Sequence, residues 1–258
     1  MLSLVDTHSH IHDVSDFKLS SDDIIKNALG VGVDKIITVG TDVDNSIEAV
    51  EFAKKYSQVF ALVGIHPGVD SNQNVSHLEN LIKSQLNDKN KKLVGLGDIG
   101  LDYHYKPYNR EEQIGVFEAQ LELAVKYNLP ISFHVREAFD DFWPVFDNFK
   151  GLRGMLHSYT DNVKNMEKGL ARGLYISLNG ILTFNKELEL NKVFAQVPLN
   201  RVVFETDAPY LAPKPYRGKE NQPSYVYEIA EYFAKKRDTT LDKMSKITTK
   251  NSDTIFKL

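Results

Sequence analysis

Cysteine is absent from this 258-residue chain, so neither a disulfide framework nor a thiolate metal site is available to it. No run of about 18 consecutive apolar residues occurs, which leaves no candidate for a membrane-spanning helix. The N-terminus lacks a basic stretch followed by an apolar one, so no secretory signal is expected. A P-loop is missing, as is a G-x-G-x-x-G after the first apolar run, and nucleotide-driven work is not expected. There is no G-x-S-x-G elbow, and without cysteine nothing signals a serine or thiol nucleophile. Charge of neither sign dominates: 31 Lys+Arg against 35 Asp+Glu give a net charge of −4. That balance argues against a broad basic surface for gripping duplex DNA. Linkers, low-complexity tracts and fixed-period repeats are also lacking. Together these absences predict a cytoplasmic protein with no membrane association.

What remains is an ordinary globular composition, 42% hydrophobic and 26% charged, which excludes a disordered chain, a collagen or a coiled coil. A short β-branched apolar run followed by a longer amphipathic stretch recurs along it. The runs fall at 2–6, 35–40, 59–64, 93–98, 129–134, 154–157, 174–178 and 201–206. Helical patterns fall near 21–29, 44–57, 76–88, 110–128, 138–149, 161–172, 185–197 and 224–237, with a further helical tail near 240–256. The stretch 113–127 is the clearest of them, with Ile114, Phe117, Leu121, Ala124 and Val125 spaced three or four apart. Strand–helix alternation implies βαβ units and a parallel sheet. Eight units in about 250 residues is the arithmetic of a (β/α)8 barrel. The expected architecture is α/β, a single TIM barrel domain over residues 1–258 with an additional C-terminal helix. An open doubly wound sheet is the structural rival.

Metal-capable side chains gather at the C-terminal ends of these runs. His8 and His10 follow the first, His66 the third, and Asp98 closes the fourth. His134 ends the fifth, His157 the sixth, and Asp207 stands just past the eighth. A barrel places its active site at that mouth. In an extended backbone alternate side chains share a face, so His8 and His10 would point the same way. Alone, such a pair reads as two turn histidines; with His134, His157, Asp98 and Asp207 it reads as a metal site. Mixed imidazole and carboxylate ligation without sulfur suits Zn²⁺, Mn²⁺ or, with more waters, Mg²⁺.

Taken in order, DTHSH (6–10), GIHP (64–67), GDIGLDYHY (97–105), HVREA (134–138), LHSYT (156–160) and ETDAPYLAP…RG…NQPSYV (205–226) resemble the TatD-like metal-dependent deoxyribonucleases. The resemblance spans nearly the whole chain. The family belongs to the amidohydrolase-like barrels and hydrolyses phosphodiester bonds, often as a 3′→5′ exonuclease on single-stranded DNA; some relatives remove D-amino acids from tRNA. Carried over by motif, the resemblance implies two divalent metal ions per subunit (Mg, Mn or Zn). One would be held by His8, His10 and Asp207, a second by His134 and His157, with Asp98 shared between them. Asp207 is also implied as the acceptor of the water's proton, and His66 as a donor to the phosphate or leaving group. Two positions depart from the family. Asp98 stands where Glu is usual, one methylene shorter, which predicts a weaker second site with activity retained. Asn221-Gln222-Pro223 stands where Asn-Glu-Pro is usual.

Arg136, two residues past His134, would face the same cavity and clamp a phosphate, or form a loop salt bridge. Lys214, Arg217 and Lys219 make a local basic loop after the eighth run, either a phosphate contact or a solvated loop. Tyr103, His104, Tyr105 and Tyr108 follow the fourth run; such aromatics either pack a loop or stack on unpaired bases, and Tyr103 is the expected platform. Glu205 is expected to orient a ligand or water, whereas His12 and His77 read as ordinary histidines. The leading reading is a dinuclear phosphodiesterase acting on single-stranded DNA ends, 3′→5′ exonucleolytic in the manner of the family it resembles, and monomeric, with no stable protein partner. Its rivals are hydrolysis of a carboxyl ester or amide, including D-aminoacyl-tRNA, and a barrel that has lost catalysis.

Overall fold

The computed structural model describes residues 2–69 and 74–258. Its strands are β1 (Leu4–Ser9), β2 (Val33–Val39), β3 (Val59–Val63), β4 (Leu93–Asp102), β5 (Ile131–Arg136), β6 (Gly154–Leu156), β7 (Tyr175–Leu178) and β8 (Val202–Phe204). The helices are α1 (Ser21–Gly30), α2 (Val43–Lys55), α3 (Val75–Leu86), α4 (Arg110–Tyr127), α5 (Phe139–Asp147), α6 (Val163–Ala171), α7 (Leu188–Gln196), α8 (Val226–Lys236) and α9 (Leu241–Phe256). The strands form one sheet in the order β1 to β8, and the pairs β1–β2, β3–β4, β4–β5, β5–β6 and β7–β8 are parallel. This is the (β/α)8 class that the alternation predicts, with α9 as the additional C-terminal helix. Among the described residues no helix is long and apolar enough to cross a membrane.

By compactness the chain divides into two units, Val39–His157 and the pair of segments Met1–Thr38 and Ser158–Leu258. In the Val39–His157 unit, α4 and α5 cover the sheet with aromatic rings. Phe142 lies 5.5 Å from Phe117 and 5.4 Å from Phe133, and Phe133 lies 5.6 Å from Phe146. Strands covered in this way need apolar side chains on both faces, which is why they read as β-branched runs rather than as alternating ones. Lys92 is an exception inside this apolar frame. It is buried, and its Nζ donates to the carbonyls of Tyr56, Ser57 and Val59 at 2.7, 2.9 and 2.9 Å. It thereby closes the turn that leads from α2 into β3. On the surface, Glu79 of α3 accepts from Lys126 Nζ at 2.7 Å and from the Tyr127 hydroxyl at 2.6 Å, tying α3 to α4.

In the other unit, Phe204 of β8 meets Phe233 of α8 edge-on at 5.8 Å. The helix α9 starts at the Thr240 cap, whose side chain accepts from Lys243 N. Its small polar face then ties down the chain ends around β1 and β8. Thr249 donates to Ser3 O at 2.6 Å, Ser245 donates to the same carbonyl, and Asn251 Nδ2 donates to the carbonyls of Leu199 and Val202.

One strand differs from expectation. β4 continues four residues past Asp98, because Gly100, Leu101 and Asp102 stay in register with His134, Val135 and Arg136 of β5. Asp98 therefore stands inside a strand and not at its end.

Lys92→Met removes the donor from three backbone carbonyls. It is expected to destabilise the fold by about 2–3 kcal/mol, which a urea titration reads as a lower midpoint with unchanged slope. Glu79 supplies an acid-sensitive contact. Its hydrogen bonds from Lys126, Tyr127 and Lys83 pull its carboxyl from 4.5 down to about 2. The stabilisation from that carboxylate is complete above 4.5, the unfolded value, and is lost as pH falls toward about 2. Wild type should thus exceed Glu79→Gln in thermal stability at neutral pH, and the gap should close on acidification.

Candidate metal centre

In the unit formed by Met1–Thr38 and Ser158–Leu258, every residue of β1 is buried. Asp6 at its middle accepts from Thr206 N at 2.8 Å and from Thr206 Oγ1 at 2.6 Å. Burial pushes the Asp6 carboxyl well above the usual carboxylate range, against the pull of these bonds. The segment past β8 then runs beside the end of β1: Asp207 N donates to His8 O at 2.9 Å and His10 N to Ala208 O at 2.8 Å. Asn221, fully buried, donates from Nδ2 to Thr206 O at 2.8 Å and Tyr210 O at 2.5 Å, so the loop cannot drift. Asp207 itself has φ +59°, a left-handed conformation that Asp tolerates better than most residues. The result places Asp207 Oδ1 3.5 Å from His10 Nε2 and 4.0 Å from His8 Nε2. The two imidazoles meet edge-on at 5.2 Å.

The Val39–His157 unit assembles a second group. Asp98 from β4 is buried, with Oδ1 3.5 Å from His134 Nδ1. The other ring nitrogen of His134, Nε2, lies 3.0 Å from Asp102 Oδ2. Gly100 makes this possible, since a Cβ there would come within 1.8 Å of His134 O. His157 follows β6 and is fixed by its N–H on Phe133 O at 3.0 Å. Its ring centroid is 5.9 Å from that of His134. Burial opposes charge on His134, but the two carboxylates outweigh it and push the imidazole up to about 9. Burial opposes charge on Asp102 as well, yet the bond from His134 and the N–H of His104 hold its carboxyl below the ordinary value.

The donor atoms suit a cation. One ligand atom each from Asp98, His134 and His157 lies within 4.8 Å of the others, close enough for bonds of about 2.0–2.6 Å to reach one ion after small shifts. His134 Nδ1 is buried and makes no hydrogen bond. All donors are imidazole or carboxylate, the set that suits a divalent cation.

His66 has a different posture. Gly68 N donates to its Nδ1 at 2.9 Å, so the neutral ring carries its proton on Nε2, which points toward Asp98 Oδ2 at 3.9 Å. Two glutamines of α4 set this part of the unit. Gln120 pairs with both N and O of Ile65, at 2.7 and 3.0 Å, next to His66. Gln113 pairs with both N and O of Asp102, at 2.9 and 2.8 Å. Sequence reasoning missed Asp102, Gln113 and Gln120. Asp102 was findable, since it shares the strand face of Asp98 four residues earlier.

The remaining predicted side chains are placed as follows. Arg136 ends β5, its guanidinium 5.1 Å from the Tyr105 ring centre. Arg217 is exposed and stacks on Phe184 at 3.6 Å, and Lys214 and Lys219 are exposed in the same loop. Glu205 accepts from Ser158 N at 2.7 Å and from Ser177 Oγ at 2.6 Å. His12 is interior, bonded to Thr38 Oγ1 at 2.7 Å, and His77 is an exposed residue of α3. The platform expected at Tyr103 does not fit its surroundings. Tyr103 is buried, its hydroxyl donates to Asp141 at 2.8 Å, and its ring is stacked on Tyr108 at 4.6 Å, so it has no open face for a base. Tyr105 is the open ring of this loop, 69% exposed.

The pattern of the family described as TatD related DNase matches residues 5–257. A metal-dependent hydrolase of Buchnera aphidicola is 34% identical, over 99% of both chains. The 3′-5′ ssDNA/RNA exonuclease TatD of Salmonella typhimurium is 30% identical, over 95% of both chains. Among solved structures, the TatD homologue YjjV of Escherichia coli superposes with a TM-score of 0.89 at 26% identity, covering 99% of this chain and 98% of that one.

Asp102→Asn keeps the shape of the His134 partner and removes its charge. It should weaken divalent-ion binding by about 10–100-fold, read by Mn²⁺ competition against a chelator. An unchanged affinity would mean that Asp102 does not orient His134.

Proposed function

The chain belongs to the TatD-related DNase family, metal-dependent hydrolases, and we propose that it cleaves phosphodiester bonds as a 3′→5′ exonuclease on single-stranded nucleic acid ends. The observation that carries this reading is the full-length match to a relative named for that activity, in a chain that keeps metal-capable residues at the matching motifs. His8, His10 and Asp207 would hold one divalent ion, and His134 and His157 a second. Asp98 occupies the position that the family's motif gives to a shared carboxylate. When bound, such ions polarise phosphoryl oxygens and make a water more acidic.

The chain's own residues divide the remaining work. A water oxygen forms the new bond to phosphorus, its proton passes to Asp207, and the bond from phosphorus to the departing 3′ oxygen breaks, that oxygen taking a proton from solvent to leave as the 3′ hydroxyl of the shortened strand. His66 presents Nε2–H, the tautomer that its Gly68 contact requires, and donates to a phosphoryl or leaving oxygen. Arg136 and Arg217 contact backbone phosphates on the substrate strand. Negative charge developing on the phosphoryl oxygens then meets fixed donors that need no rearrangement.

A 5′-labelled single-stranded oligonucleotide, incubated with Mg²⁺, Mn²⁺ or Zn²⁺ beside a chelator control, should give a ladder shortening from the 3′ end. His134→Ala should slow it by about 100-fold or more. An oligonucleotide left intact with every ion, together with release of the amino acid from D-aminoacyl-tRNA, would instead assign the chain to carboxyl-ester hydrolysis.

A further inference from the structure

Within the Val39–His157 unit a cleft of about 820 Å³ opens beside His66 and Asp102. It lies between the loop after β3, the loop after β4 and the first turns of α4. Its size falls in the range of sites that take one small ligand. Ile65, Val69 and Val116 give it apolar walls, and Tyr105 and Tyr108 stand over it, 69% and 38% exposed. The walls are pinned from behind by the two glutamine pairs of α4, Gln120 on Ile65 and Gln113 on Asp102.

Charge decides which part of a nucleotide such a cleft accepts. The lining guanidinium, Arg110, is already held by Asp141 through two bonds of 2.6 and 2.5 Å. Glu111 and Glu112 line the same cleft and repel a phosphate. A neutral, flat and partly apolar group meets no such penalty. The phosphate has Arg136 nearby, its guanidinium over the far ring, Tyr105.

The geometry points to this cleft as the seat of the base and sugar of the terminal nucleotide, the one released as a 5′-monophosphate, with Tyr105 stacking on the base. The inference rests on the phosphodiesterase reading above. Stacking on a ring accepts any base, which is what degradation of an arbitrary strand requires.

Two chromogenic diesters separate the cleft from the chemistry. Thymidine 5′-monophosphate p-nitrophenyl ester carries a nucleoside; bis(p-nitrophenyl) phosphate does not. Val116→Trp fills the cleft and should raise KM for the thymidine ester by about tenfold or more, the size of one lost stacking contact. The rise in its KM for bis(p-nitrophenyl) phosphate should be several-fold smaller. Tyr105→Ala should likewise raise KM for the thymidine ester. Equal effects of Val116→Trp on both diesters, or none on either, would overturn the cleft while leaving the phosphodiesterase reading intact. If wild type cleaves neither diester, that reading fails. Binding of thymidine 5′-monophosphate to Mn²⁺-loaded protein, by equilibrium dialysis, then decides: weaker binding in Val116→Trp supports the cleft, and equal binding removes it.

Discussion

His134 is half-buried with Asp98 against one ring nitrogen and Asp102 against the other, and much of the Val39–His157 unit is arranged to sustain that triad. Burying a lone carboxylate is costly enough that proteins neutralise or pair it. Two carboxylates flank this one imidazole, and the positive charge of Arg136 adds to the field at Asp102. The backbone meets the geometric demand: Gly100 lets β4 approach β5 closely enough for carboxylates at 98 and 102 to flank the same ring. A side chain at that position would drive the strands apart and separate these side chains.

The other unit solves the same problem without a strand pair of comparable length. β8 ends at Phe204, so Asp207 cannot be placed by the sheet ladder alone. It is placed by two backbone bonds to the His8–His10 segment and by Asn221 behind them. Asp6 contributes from inside β1 through Thr206. The position of Asp207 in this unit is thus a property of a loop held by buried polar side chains that bond to its backbone.

How much of this the sequence discloses follows from physics. The alternation of apolar runs and amphipathic stretches is legible because it reports burial directly. Histidines at the ends of those runs stand out because such ends carry few other reasons to be polar. The extent of β4 was not legible: glycines at 95, 97 and 100 weaken strand propensity, and only pairing with β5 extends the strand to Asp102. Gln113 and Gln120 look like the polar side of an amphipathic helix, and their inward bonds depend on loops distant in sequence. The exchange of Tyr103 for Tyr105 has the same origin. Past the last paired residue the period of two no longer says which ring turns inward, and Asp141 on α5 decides it.

Those glutamines also make one helix bear on two separate segments. Seven residues span two turns, so Gln113 and Gln120 emerge on one face of α4. Each grips both backbone groups of its target, which fixes orientation as well as distance. Through Gln120 the helix holds the residue before His66, and through Gln113 it holds the residue that braces His134. Val116 lies between them in sequence and lines the cleft. A shift of α4 would therefore move His66, Asp102 and the cleft wall together. Rigid coupling of this kind would keep any occupant of the cleft and the side chains beside it in one frame, the condition under which positioning lowers a barrier.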